Sequence, residues 1–235
     1  MPGAKLAAAL SQIDWQNNVK TFLQDTGPVG AIARANVRLA MWARQFETHD
    51  KGNPALSFIR EMQVSGHHVA ALAALALYKP AAGAMRAMME TALYYSYFRS
   101  HPSELATLVR EPNFFISKVD VLDYHKQHTP GFKRLQQRMG LVTGITQWYG
   151  LVSSVVHGQI PGKWGEHKSL VDIAYTKGIL DILATTFTNG EKLVHHLFLC
   201  TAGRDLWDAF SPPAKKQLIL GIAGELRAAL GLDSA

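Results

Sequence analysis

The spacing of apolar residues constrains the fold of this chain more than any other feature. Apolar side chains recur three and four positions apart along nearly the whole sequence, and no segment of four to eight residues alternates as a half-buried strand would. Cap or first-turn signatures mark helix starts at Pro28, Asn53-Pro54, Pro80, Pro102-Ser103, Ser169 and Ser211 to Pro213. The pattern predicts an all-α chain with helices over residues 5–24, 29–49, 54–78, 80–100, 103–110, 113–127, 131–139, 142–157, 169–199 and 212–230.

The organisation of the chain predicts one helical domain over residues 1–235. No repeat of 20 to 50 residues is visible, and no low-complexity linker divides the sequence. We expect an antiparallel helical bundle elaborated with short helices, in which the helices at 80–100 and 142–157 pack together at the centre. Between His68 and Ala92 the sequence is rich in alanine, and such small side chains predict a tight helical hairpin.

Composition limits the class of protein. Hydrophobic residues make up 48% of the chain and charged residues only 18%, against about 25% in an average soluble domain. This balance favours an oligomer, such as a homodimer, or a deeply buried helix layer. Lys79, Arg86 and Glu90 interrupt the most apolar region, so we expect no membrane span, and the N-terminus lacks a signal-peptide pattern. The sequence therefore predicts a cytoplasmic protein, in which the single Cys200 excludes an internal disulfide or a cysteine zinc site.

The charge and the motifs say less about ligands. A net charge of +6 favours RNA or another anionic partner, although the basic residues are spread out and also fit a role in solubility. No phosphate loop, dinucleotide fingerprint or serine-hydrolase elbow is present, so we expect no cofactor. The adjacent histidine pairs point to different helix faces, and we expect no metal site. The segment "FFISKVDVL" has helical spacing at Phe114, Phe115, Val119 and Leu122, which predicts a core helix.

Two polar rows interrupt this apolar pattern. Arg86 and Glu90 stand four residues apart on one predicted helix face. In "WYGLVSSVVHG", Tyr149, Ser153 and His157 also recur every four positions and offer two hydroxyls and an imidazole. Because charges on an apolar helix need partners when they are buried, we expect the two rows to meet across a helix interface.

Two interpretations of the rows remain open. In one, they form a buried network that only fixes the helix register. In the other, they line a cavity closed by the loop "GQIPGKWGEHK", with the imidazole of His157 able to exchange protons near neutral pH. In that case we expect Trp164 to be an accessible reporter of loop closure. Lys163, and Lys168 further along, would then contact an anionic partner.

The segments "RAMMETALYYSYF" and "YGLVSSVVHG" together resemble an uncharacterised bacterial branch of the HEPN (higher eukaryotes and prokaryotes nucleotide-binding) superfamily. The resemblance covers residues 55–160, with residues 1–50 and 169–235 as flanking helices. It implies an antiparallel helical bundle, often dimeric. In active members it implies metal-independent RNA cleavage by an arginine followed four to six residues later by a histidine.

The chain departs from that catalytic pattern. The window before His157 holds Leu151, Val152 and Ser153, where the arginine is expected. The resemblance therefore implies a non-catalytic or weakly catalytic protein that binds nucleic acid or a protein partner in a stress or phage-defence system, such as a toxin–antitoxin pair. A ribonuclease or nucleotide-modifying toxin built on Arg86, Glu90, Tyr149 and His157 is the enzymatic alternative. An oligomeric scaffold with a purely structural network is the third.

Overall fold

The computed structural model describes residues 1–165 and 167–232, and within these ranges every regular element is a helix. The α-helices are α1 (Pro2–Ser11), α2 (Trp15–Gln24), α3 (Thr26–His49), α4 (Leu56–Ala74), α5 (Tyr78–Phe98), α6 (Pro102–Arg110), α7 (Lys118–His128), α8 (Phe132–Met139), α9 (Leu141–Val156), α10 (Lys177–Cys200), α11 (Ala202–Asp205), α12 (Pro212–Leu218) and α13 (Gly224–Leu230). The predicted all-α fold is confirmed. None of the described helices is both long enough and apolar enough to span a bilayer.

Four of the predicted helices are wrong in extent. The one predicted at 113–127 begins only at Lys118, and local capping or a left-handed glycine interrupts the other three. The helix predicted at 5–24 is split, since the Asp14 carboxylate accepts the Asn17 N–H at 2.9 Å and starts α2 afresh. The one predicted at 169–199 begins at Lys177, because Ser169 and Asp172 form a capping box on a single 3-10 turn. The one predicted at 212–230 is split around Gly221, whose φ of +82° belongs to the left-handed region.

The predicted alanine-rich hairpin is formed by α4 and α5, which pack along most of their length. Ala73, Ala81, Ala82 and Ala92 are all buried, so the two backbones approach closely. The turn between the helices places Ala76 at a φ of +59°, inside the core. This hairpin fixes the position of α5, the helix that carries Arg86 and Glu90.

The centre of the bundle belongs to α5 and α10. The predicted contact between the 80–100 and 142–157 segments exists, because α5 packs against α9. However, α9 buries only one side, whereas buried residues run through α10 from Leu180 to Cys200, and α10 packs against α3, α5 and α9. The prediction that α9 lies at the centre is therefore wrong. Its spacing indicated a buried face but not how much of the helix is covered.

The approach of α9 to α10 depends on a glycine. A Cβ on Gly190 would lie 2.6 Å from Cε2 of Trp148, whose indole donates a hydrogen bond to the Thr186 carbonyl at 2.7 Å. The hydrogen bond and the surrounding core hold the buried indole at that point. Gly190 is therefore required for the spacing between α9 and α10.

We predict that Gly190→Ala destabilises the protein by about 1–3 kcal/mol through overpacking, despite the better helix propensity of alanine. Gly150→Ala is the matched control, since Gly150 is exposed within α9 and a Cβ there meets nothing within 4 Å. That change should stabilise the protein by about 0.5–1 kcal/mol. Urea unfolding of both variants measures the difference, and equal free energies of unfolding would contradict the tight contact.

Candidate functional site

The two polar rows are brought together where α5 faces α9. Arg86 and Glu90 lie in the middle of α5, Tyr149 lies in α9, and His157 is the C-cap residue of α9. All four side chains are partly or fully exposed. They therefore form an accessible polar cluster at a helix interface, and not a sealed network.

Three hydrogen bonds connect the cluster. Arg86 donates from Nε to Glu90 Oε1 at 2.9 Å, and the Tyr149 hydroxyl donates to the same carboxylate oxygen at 2.5 Å. Arg86 also contacts His157, with 2.8 Å between Nη1 and Nε2. Because a guanidinium can only donate, Nε2 of His157 is the acceptor, and the neutral ring carries its proton on Nδ1.

Ser153 stands apart from the cluster. Its hydroxyl oxygen is inaccessible to solvent and has no hydrogen-bond partner among the described residues. The hydrogen bonds of Arg86 go to Glu90 and His157 instead. Ser153 thus occupies its expected place on the helix face without joining the hydrogen bonds.

The electrostatics of the cluster favour a protonated tyrosine between two cations. The Arg86 Cζ and the Lys118 Nζ each lie 5.0 Å from the centroid of the Tyr149 ring, within the range of a cation–π interaction. Burial and then the Glu90 carboxylate raise the pKa of Tyr149 to about 12. Burial works against the charge of Arg86, but the hydrogen bond to Glu90 and the carboxylate charge prevail and raise its pKa. At neutral pH the phenol is therefore a hydrogen-bond donor and the guanidinium a cation.

A cleft of about 400 Å³ adjoins the cluster. Arg86, Glu90 and Tyr149 line one wall, and the segment 115–119 forms the other. Phe115 is 71% exposed, so its ring is available at the rim. Lys118 is the one cation on this second wall.

The second wall corrects the prediction that "FFISKVDVL" is a core helix. Phe115 and Val119 are exposed, and α7 begins only at Lys118. The reason is a capping box, in which the Ser117 hydroxyl accepts the Asp120 N–H and the Asp120 carboxylate accepts the Ser117 N–H. Sequence reasoning therefore missed Phe115 and Lys118, although the Ser-x-x-Asp spacing could have indicated the helix start.

None of the described residues of the glycine-rich loop lines this cleft. Lys163, Trp164 and Lys168 are absent from its lining, and Glu166 of the same loop lies outside the described residues. Trp164 is only 4% exposed, so the expectation of an accessible reporter is wrong. Its φ of +65° and the positive φ of Gly162 turn the chain back and place the indole in the core, where Nε1 has no described partner. Trp164 therefore anchors the loop in the core, whereas the other described residues of the loop are exposed or partly exposed.

Three of the other histidines are buried, so their imidazoles are not accessible as that of His157 is. His195 and His196 are buried in α10, and buried His125 contacts the hydroxyls of Ser96 and Thr129 at 3.0 and 2.7 Å. Burial lowers the pKa of His125 and His196 to about 4. Across the described ranges no group of three or more His, Cys, Asp or Glu side chains could hold a metal ion.

We predict that Trp164→Ala destabilises the protein by roughly 3–5 kcal/mol, as expected for truncating a buried tryptophan. Trp164→Phe should cost much less, because the phenyl ring retains most of the packing and removes an unsatisfied N–H donor. Lys163→Ala serves as the neighbouring control, with a change within about 0.5 kcal/mol. Chemical denaturation measures all three. If Trp164→Ala were as stable as the wild type, burial of this indole would contribute nothing to the stability of the fold.

Searches against protein-family models, curated proteins and solved structures find no match to this chain.

Proposed function

We propose that the chain is a HEPN-like cytoplasmic protein whose cleft binds single-stranded RNA, without catalysis or with weak catalysis. The carrying observation is the pairing of two cations, Arg86 and Lys118, with an exposed Phe115 ring around one open cleft. A role in stress or phage defence and a homodimeric state come from the resemblance alone.

The chemistry of the cleft suits a nucleotide segment. Lys118 forms no ion pair within the described part of the chain, and its ammonium group is therefore available to bind a phosphate. Stacking of a base on an aromatic side chain such as Phe115 contributes about 1–3 kcal/mol and tolerates any base. The cleft volume of about 400 Å³ is within the range of small-ligand pockets. Lys163 and Lys168, which lie outside the cleft, are proposed as secondary contacts to the flanking phosphates of a longer strand.

Binding is favoured over catalysis because the polar groups already satisfy one another. Glu90 accepts from both Arg86 and Tyr149, and His157 accepts from Arg86. A general base must be able to take a proton from its substrate, and here Nε2 of His157 is occupied. A ligand held by Lys118 and Phe115 needs no such exchange.

Metal-independent RNA cleavage is the second candidate, supported by the exposed contact between His157 and Arg86. Once Nε2 is released, His157 would take the proton from a ribose 2′-hydroxyl as that oxygen bonds to the adjacent phosphorus. Arg86 would stabilise the charge on the phosphorus centre, and Tyr149 would give its proton to the leaving 5′-oxygen. The products would be a 2′,3′-cyclic phosphate and a 5′-hydroxyl.

We predict that Phe115→Ala and Lys118→Ala each weaken binding of a fluorescein-labelled 12-nucleotide single-stranded RNA by about fivefold or more. Lys118→Ala should also reduce the slope of log K against log salt concentration by about 1, because one phosphate contact is lost. Phe115→Ala should leave that slope unchanged. Fluorescence anisotropy at several salt concentrations measures both quantities.

The control for this measurement is Lys133→Ala, which removes an exposed lysine on α8 that lies outside the cleft. It should bind the RNA as the wild type does. If all three variants weaken binding equally, the RNA contacts a diffuse positive surface and the cleft is not the site.

For the second candidate, we predict cleavage of the same RNA in the presence of EDTA, with loss of about a hundredfold or more in rate for His157→Ala, as for removal of a general base. His157→Gln is the companion variant, since an amide can still accept from Arg86 but cannot carry a proton. Mass spectrometry of the products identifies the cyclic phosphate. Binding without cleavage would retain the leading proposal and end this one.

Large losses of stability in Arg86→Ala and Tyr149→Phe, with RNA binding unchanged, would assign the cluster a structural role.

A further inference from the structure

One face of α3 is uncovered beside α12. Along this face lie Arg34, Val37, Arg38, Met41 and Arg44, which occupy helix positions i, i+3, i+4, i+7 and i+10. They line two adjoining depressions of about 620 and 520 Å³, which share Met41. We call this surface the α3 groove. It has no lining residue in common with the cleft beside Tyr149.

The middle of the α3 groove is apolar and accessible. Val37 is 55% exposed, and Leu220, from the turn that follows α12, is 71% exposed and lines the same depression. Met41 lies between them and is half-buried. Exposed apolar side chains that are grouped in a depression indicate an interaction surface, whereas single ones do not.

Cations border this apolar centre at both ends. Arg34 and Arg44 are exposed, and neither forms an ion pair with any described residue. Ten residues of α-helix separate them, which corresponds to about 15 Å. Among the described residues that line the groove, Glu191 carries the only carboxylate, and Arg38 already pairs with it. The groove therefore presents uncompensated positive charge.

Arg38 adds a fixed donor to the floor of the groove. Its Nε donates to Glu191 Oε1 at 2.6 Å, and its Nη2 pairs with Oε2 of the same residue. This fork holds the guanidinium plane in place, while Nη1 has no partner in the described part of the chain. A rigid donor of this kind costs a ligand little conformational entropy on binding.

We propose that the α3 groove binds an acidic amphipathic helix of a protein partner. Carboxylates about three helical turns apart would meet Arg34 and Arg44, and apolar residues between them would cover Val37, Met41 and Leu220. RNA fits less well, because the exposed centre of the groove is aliphatic and its described lining holds no Phe, Tyr or Trp on which bases could stack. The one aromatic ring in that lining, His49, lies at the C-terminal end of α3, away from the apolar centre. This proposal is independent of the function assigned to the cleft.

The test is a selection from a yeast-displayed library of 16-residue helical peptides, with the full-length protein as bait. Parallel selections use the double variant Arg34→Glu/Arg44→Glu and the control Arg134→Glu/Arg138→Glu. The control makes the same charge change on exposed arginines of α8 that form no described ion pair. We expect wild type and control to enrich peptides with Asp or Glu about ten residues apart and apolar residues between them, and the double variant to enrich none of these.

The most enriched peptide is then synthesised and measured by fluorescence anisotropy. Its dissociation constant should rise by about tenfold or more on the double variant, and by less than about twofold on the control. Val37→Asp should weaken binding without altering Arg34 or Arg44, which keeps the test valid if the double variant fails to fold.

Three results would overturn the proposal. The enriched peptides could lack the acidic pattern, or they could bind the double variant and Val37→Asp as tightly as the wild type. Alternatively, the 12-nucleotide RNA could bind with the same dependence on Arg34 and Arg44 and displace the peptide, which would make the groove a nucleic-acid site.

Discussion

The arrangement of the bundle depends on two side chains of α3, Arg38 and Trp42, which donate hydrogen bonds to two ionisable residues of α10 inside the core. Glu191 is 1% exposed, and burial raises its pKa, while the fork of Arg38 opposes that shift. One turn later, His195 accepts a hydrogen bond from the Trp42 indole at 3.0 Å, and burial keeps its pKa well below the usual value. A buried carboxylate without its partner would destabilise the fold by several kcal/mol. Because both donors lie four residues apart on α3, these contacts allow only one register between α3 and α10.

That register extends to the cleft through the contact between α10 and α9. The indole of Trp148 sits over Gly190 and is held by the Thr186 carbonyl. Successive residues of a helix point about 100° apart, so seating Trp148 on α10 turns Tyr149 toward α5, where it meets Glu90. The same buried pair also fixes Arg38 where it lines the α3 groove. Two separate surfaces thus share one structural origin.

The sequence could predict features that follow from local spacing. The helical class, the hairpin of small residues and the pairing of Arg86 with Glu90 all arise from three- and four-residue periodicity. It could not predict which face a loop presents, because that depends on distant packing. Trp164 is an example. Its position in a glycine-rich loop predicted an exposed side chain, yet its left-handed backbone places the indole in the core. For Phe115 the error is the reverse. Its spacing predicted a buried position in a helix, but the capping box at Ser117 starts α7 after it and leaves the side chain exposed.

The location of the cleft within this frame determines which of its groups would meet a ligand first. Arg86, Glu90, Tyr149 and His157 share their hydrogen bonds, and a charge-assisted hydrogen bond contributes about 1.5–3 kcal/mol, so a ligand that displaces one must replace it. Lys118 and Phe115 carry no such cost, because the ammonium lies over the Tyr149 ring without an ion pair to any described residue, and the phenyl group is exposed to solvent. A ligand with a single charge gains little from Lys118 alone at an exposed site. One that combines a phosphate with a stacking base would use both groups at once, and for this reason we propose a nucleotide segment rather than a simple anion as the ligand.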